Sequence, residues 1–255
     1  MTVSLDVQNN TWVSHFGAGH GNTSSVSKNF STGGTNRIVI VVPSWCQASA
    51  LTINSVTLGG VNLAQYATMS STLSAGSDGG TQHNHFGVDV WWGYFAAQQT
   101  AQALVVTASG VPDVNDNLAW AVYGQNSNTS PWDSDASLPA EASNTSLSSL
   151  SQVSVPSVST SQAHTMLFQV GGAKGRPAAV GTGWSLIFQQ TGYEDAWNAT
   201  VDAFAQYKSL SGTISGQTES FDTTNLGAWD SIVFGITSDG TGAVSAPWIC
   251  NLIGV

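Results

Sequence analysis

Three groups of residues in this 255-residue chain have types and spacings that chemistry can use. The first is His83-Asn84-His85 followed by Asp89. Side chains alternate along a β-strand, so His83, His85 and Asp89 would share one face. Imidazoles and a carboxylate on one face are the material of a four-coordinate metal site. No third His or Cys lies nearby in sequence, and the competing reading, which the sequence favours, is a polar mouth where a Gly-rich loop enters a strand. The second group, Asp113, Asn115, Asp116 and Asn117 (DVNDN), is rich in oxygen and can hold calcium. The EF-hand order is absent, with no Gly at the sixth position and no closing Glu at the twelfth. Asx residues also build turns without any metal. Asp133 and Asp135 (WDSD) form a similar, smaller group.

The third group is the ten tryptophans. Trp92, Trp120, Trp184 and Trp229 lie in alternating segments and are expected in the core. Trp12, Trp132, Trp197 and Trp248 lie in loops, near Pro or toward the chain ends. Exposed indoles among Asn, Gln and Asp stack on sugar rings, and they also anchor one subunit in another. The subunit contact is the preferred reading. Motifs for catalysis are missing: there is no Gly-x-Ser-x-Gly elbow, no His-Glu-x-x-His and no Walker loop. Of the glutamates Glu141, Glu194 and Glu219, none sits in a context that marks an acid/base pair. The expectation is a protein that is not an enzyme.

Composition limits the partners. Charged residues make up 8% of the chain, against roughly 25% in ordinary soluble domains. Five basic and fifteen acidic residues give a net charge of −10, which excludes a phosphate-backbone binder that needs clustered Lys and Arg. No apolar run is long enough to span a bilayer. Residues 1–8 lack the basic start and apolar stretch of a classical signal peptide. The two cysteines, Cys46 and Cys250, are expected as reduced core thiols.

The elements that must position these groups follow a period of two. Val88, Val90, Trp92 and Tyr94 alternate with Asp89, Trp91, Gly93 and Phe95, and His164–Val170, Trp184–Gln189 and Ser231–Ile236 alternate in the same way. Arg37–Val42 (RIVIVV) is apolar throughout after its first residue, as a strand buried on both faces requires. Ala96–Leu104 reads as a strand end, a turn and the next strand. Clusters of Gly, Ser, Asn and Asp separate the runs. About 10 to 12 strands fit these signals, which predicts an all-β, antiparallel two-sheet sandwich. No repeat of roughly 20 to 50 residues is visible, so residues 35–237 read as one domain. Residues 1–34 then form a partly stranded N-terminal extension, and residues 238–255 an apolar tail that must be buried, either as a late strand of its own sandwich or, the preferred reading, against a partner through Trp248.

The order of segments resembles a family. TNRIVIVVPS (35–44), INSVTLGGVNLAQ (53–65), VDVWWGYFAAQQTAQALVVTAS (88–109), LAWAVYGQNSNTSPWDS (118–134) and AWDSIVFGI (228–236) follow one another. Together they are similar to a jelly-roll-like β-sandwich of phage virion proteins and bacterial surface proteins. The Gly59-Gly60 pair and Trp91-Trp92 are its best anchors; Leu58 and Tyr123-Gly124-Gln125 depart from it. The resemblance implies a virion structural protein, a capsid decoration, fibre or tail component of a bacteriophage-like particle. Such a protein would act in assembly or surface attachment as a homo-oligomer among other virion subunits, with calcium as a conceivable ligand. The alternative it leaves open is a carbohydrate-binding, adhesive module outside a bacterial cell, recognising a surface glycan.

Overall fold

A computed structural model describes residues 3–6, 15–17, 24–72, 85–112, 114–123, 130–145, 150–163, 165–173, 176–189, 202–226 and 228–237. The described residues are all-β. The first half runs β1 (Ser4–Leu5), β2 (His15–Gly17), β3 (Ser25–Phe30), β4 (Arg37–Gln47), β5 (Ile53–Leu58), β6 (Val61–Asn62), β7 (Ala64–Thr72), β8 (His85–Phe95), β9 (Gln102–Ala108) and β10 (Val114–Tyr123). The second runs β11 (Ala140–Asn144), β12 (Leu150–Val158), β13 (Met166–Ala173), β14 (Arg176–Ala179), β15 (Ser185–Gln189), β16 (Asp202–Ser209), β17 (Gln217–Leu226) and β18 (Trp229–Ile236). Ala96–Leu104 holds a loop and the start of β9, as expected, while the strand end expected there falls just before it, at Phe95.

These strands pair into four antiparallel sheets. The two inner sheets are β1-β10-β4-β8-β7, to which β2 adds beside β10, and β11-β18-β13-β16-β15. The two outer sheets are β3-β9-β5-β6 and β12-β17-β14. Alternation along each strand explains how the sheets stack. Ile38, Ile40 and Val42 of β4 point into a central apolar layer with Leu118, Trp120, Met166, Phe168, Val170, Ile232 and Phe234. Val39, Val41 and Trp45 point the other way, against Val56, Leu58, Leu104 and Val106 of the first outer sheet. The second inner sheet repeats this with Leu167 and Val233 against Val155 and Val158, and with Phe204 against Val153 and Phe221. β4 is therefore continuously apolar because both its faces are dry, as its sequence requires. Trp120 meets Phe168 across the central layer with ring centroids 5.7 Å apart.

The second half repeats eight of the ten strands of the first. β1, β3, β4, β5, β7, β8, β9 and β10 correspond in neighbours and order to β11 through β18. The register repeats as well. Ile38, Ile40 and Val42 lie opposite Val122, Trp120 and Leu118, and Met166, Phe168 and Val170 lie opposite Ile236, Phe234 and Ile232. Even a bulge recurs, between Gln65 and Ala67 where β7 meets β8 and between Leu186 and Phe188 where β15 meets β16.

There are 18 strands among the described residues rather than the expected 10 to 12, because short strands such as β1, β2 and β6 carry too few residues to show an alternating pattern. Within residues 1–34, expected as a partly stranded extension, β1 and β2 join an inner sheet and β3 an outer one. The described residues form two similar halves, whose repeat is much longer than the periods that mark solenoids. The tail, residues 238–255, lies outside the described residues, as does Cys250; Cys46 is buried on β4.

Candidate functional site

The turns at one end of the stack are organised by two buried aspartates at matching places. Asp6, 4% exposed, donates its backbone N–H to Ala121 O, and Asp133, 3% exposed, donates its own to Gly235 O. The Asp6 carboxylate accepts from Gly33 N (2.5 Å) and Arg37 Nε (2.9 Å). The Asp133 carboxylate accepts from Ser161 N (2.8 Å), Ser161 Oγ (2.6 Å), Asp135 N (3.0 Å) and Thr165 Oγ1 (2.8 Å). Beside each hub a buried threonine clamps the next turn: Gln99 N donates to Thr32 Oγ1 at 2.9 Å, and Ile214 N to Thr160 Oγ1 at 3.1 Å. Burial raises the Asp133 pKa, but the bonds from Ser161, Asp135 and Thr165 outweigh it and hold the carboxyl below its ordinary value. These aspartates tie loops together; the loops, not the ions, are what they serve.

A different arrangement lies toward the other end of the central layer. Asp230, fully buried on β18, accepts a 2.5 Å hydrogen bond from Ser71 Oγ of β7. This bond joins the two halves. The second oxygen, Asp230 Oδ2, is buried and has no hydrogen-bond partner among the described residues. Glu141 of β11 lies opposite Ile232, one step along the same face as Asp230. Burial pushes the Asp230 carboxyl up to about 7, the Ser71 bond opposes this, and the charge of Glu141 adds to it. Burial raises Glu141 as well. Such a group can hold or release a proton near neutral pH. Sequence reasoning missed it because Ser71 and Asp230 are far apart along the chain; the polar Asp in an otherwise apolar strand was the available signal.

The residues singled out from sequence fare differently. His85 begins β8 and its Nδ1 lies 3.0 Å from Thr72 Oγ1. Asp89 follows on the same face about 13 Å further along, at the strand's rise per residue. It is 3% exposed and accepts from Gln65 Nε2 at 2.9 Å. Burial pushes its carboxyl up to about 6, against bonds from Thr68, Gln65 and Trp45. His85 and Asp89 therefore do not converge, and His83 lies outside the described residues. Of the residues read as a calcium loop, Asn115, Asp116 and Asn117 belong to β10, paired with Trp45, Ser44 and Pro43. Asp116 and Asn117 are successive strand residues that point to opposite faces; Asp113 lies outside the described residues. Among the described residues no group of three or more His, Cys, Asp or Glu is placed to hold a metal.

Trp120, Trp184 and Trp229 are buried, and Trp92 packs against the central layer. Trp132 is not a free loop side chain. It is half-buried, stacked on Tyr66 with centroids 3.7 Å apart, and edge-on to Trp92 and Phe234. Trp12, Trp197 and Trp248 lie outside the described residues. Glu219 is ion-paired to Lys208 Nζ at 2.5 Å and accepts from Trp184 Nε1 at 3.1 Å, while Glu194 lies outside the described residues. No helix among the described residues is long and apolar enough to cross a membrane.

Compared with protein-family models, curated proteins and solved structures, the chain matches none of them. What can be said of its class therefore rests on the strand order and the site geometry above: an all-β, antiparallel protein with an internally repeated topology.

Proposed function

We propose that the chain is a non-enzymatic structural protein of a phage-like particle, a head decoration, fibre or tail component that assembles as a homo-oligomer with other virion subunits. On this reading it is built as two jelly-roll-like β-sandwiches in tandem. The observation that supports it is the repeated strand order. An eight-strand jelly roll places strands first-eighth-third-sixth in one sheet and second-seventh-fourth-fifth in the other. The inner order β1-β10-β4-β8 and outer order β3-β9-β5-β6 follow that scheme, with the fifth strand passing from β6 in one sheet to β7 in the other. The second half follows it too, in β11-β18-β13-β16 and β12-β17-β14. Jelly rolls serve viral capsids and lectins alike, and fold alone does not choose between them. The segment pattern of residues 35–44, 53–65, 88–109, 118–134 and 228–236 favours the particle.

The carbohydrate-binding alternative is favoured by one feature, the half-buried Tyr66–Trp132 stack at the edge of the central layer. Two measurements separate the readings. Mass spectrometry of particle fractions should find the chain at a fixed stoichiometry with the other coat proteins. If the chain occurs only in the soluble fraction and binds a glycan array as a monomer, with binding lost on Trp132→Ala, the particle reading is wrong and the adhesive one stands.

A further inference from the structure

We propose that Asp230 and Ser71 form a proton-dependent latch between the two halves, held shut while the Asp230 carboxyl is neutral and loosened when it ionises. The argument begins with where the pair sits. β7 is the edge strand of the first inner sheet and β18 lies in the second, so their contact closes one side of the central layer. That layer is otherwise apolar along β18, with Ile232, Phe234 and Ile236 fully buried. Asp230 is the polar interruption. A neutral carboxyl fits there, accepting the Ser71 hydroxyl through Oδ1. An ionised one does not: a single hydrogen bond replaces little of its hydration, and Oδ2 has no partner among the described residues.

The surroundings supply no compensating charge. Packed against β18 are β7, β8, β11, β12 and β13. β12 and β13 contain no titratable residue. β11 contributes Glu141, a like charge on the same face. On β7 the titratable group is Tyr66, which lies away from Asp230 against Trp132 and Phe234. On β8, His85 and Asp89 point to the face opposite that of Val88 and Val90, which line the central layer; Tyr94 bonds Asn36 at the far end of the strand. On these packed strands no Lys, Arg or His faces the carboxyl. The least costly response to ionisation is then water entry, by parting β7 from β18. The raised affinity of this carboxyl for its proton, with a midpoint of about 7 in the closed state, agrees with that geometry.

Linkage gives the direction. A carboxyl whose closed-state pKa lies above its exposed value stabilises the closed state fully at acid pH. This advantage falls by roughly tenfold per pH unit between the two values and then levels off. Hydrogen-exchange mass spectrometry of the full chain from pH 4.5 to 8.5, corrected for intrinsic exchange, reads this directly. Peptides from β7 and β18 should lose protection as pH rises to about 7 and change no further above it, while β5 and β9 peptides stay flat. Asp230→Asn, near-isosteric and uncharged, should flatten the profile, and Glu141→Gln should bring the plateau to lower pH. Ser71→Ala, which removes a bond favouring the anion, should move the plateau higher. A flat wild-type profile overturns the proposal. So does a profile that survives Asp230→Asn, or one that Asp89→Asn abolishes.

Discussion

Replacing Asp133 with Ala tests whether a single carboxylate holds the turns of the second half together. The substitution removes the acceptor for Ser161 N, Ser161 Oγ and Asp135 N on Oδ1 and for Thr165 Oγ1 on Oδ2. The two hydroxyls can turn elsewhere, and Thr165 Oγ1 already donates in part to Gln162 O at 3.1 Å. The two backbone N–H groups cannot. An unsatisfied, partly buried donor costs roughly 1–3 kcal/mol, and because water reaches part of this turn the lower half of that range applies to each. The loss should be about 3 kcal/mol, or a urea midpoint lower by about 1 M for an m-value near 3 kcal/mol/M. Asp133→Asn keeps an acceptor oxygen and should cost about 1 kcal/mol. The two variants also differ with pH. The folded-state pKa of Asp133 is lowered, so its contribution is complete above the ordinary carboxyl value and fades as pH falls through the depressed one. The penalty of Asp133→Ala should therefore shrink in acid. Tyr66 gives an optical check. Its hydroxyl is pushed up to about 12, first by burial and then by the charge of Asp133, so it should titrate lower in either variant. Equal midpoints for Ala and Asn, or a penalty that does not change in acid, would refute the hub argument.

Ala101 has φ 48° where its counterpart, Gly216, has φ 59°, and each N–H meets the matching serine, Ser31 or Ser159. Ala101→Gly should remove left-handed strain and stabilise the chain by about 0.5–1 kcal/mol after the added unfolded-state entropy, checked by thermal melting. Asp89, whose buried carboxyl titrates at about 6, should make the wild type more stable near pH 4 than at pH 8. Asp89→Asn should remove up to about 3 kcal/mol of that difference, read from urea titrations at both pH values. Phe168→Ala at the centre of the shared layer should cost about 3–5 kcal/mol in the same assay. A protease site placed within residues 124–129 should, once cut, leave the two halves together on gel filtration at low denaturant, since the central apolar layer joins them without the link.

The period-two runs, the doubly buried β4, and the turn in Ala96–Leu104 were legible from the residues alone. Each depends on local alternation and on which neighbours a strand side chain must avoid. The core tryptophans were legible for the same reason. Pairing between distant strands was not. β1 and β3 read as an extension because short, polar strands carry little pattern, and their place is set by β10 and β9 arriving much later in the chain. The internal repeat stayed hidden because its halves share layer positions rather than identities: Trp120 answers to Phe234, and Leu118 to Ile232. A buried layer selects for apolar volume and direction, not for a particular side chain. The candidate site was hidden for a stronger reason. Asp133 appears in the sequence as one more loop acid, and Asp230 as a polar residue in a good strand. What each carboxylate does depends on which donors the fold brings to it. Four donors from the turns of its own half converge on Asp133, while Asp230 has one hydroxyl from the other half and a dry layer around it; the folding of those turns decides the first and the packing of one inner sheet on the other decides the second.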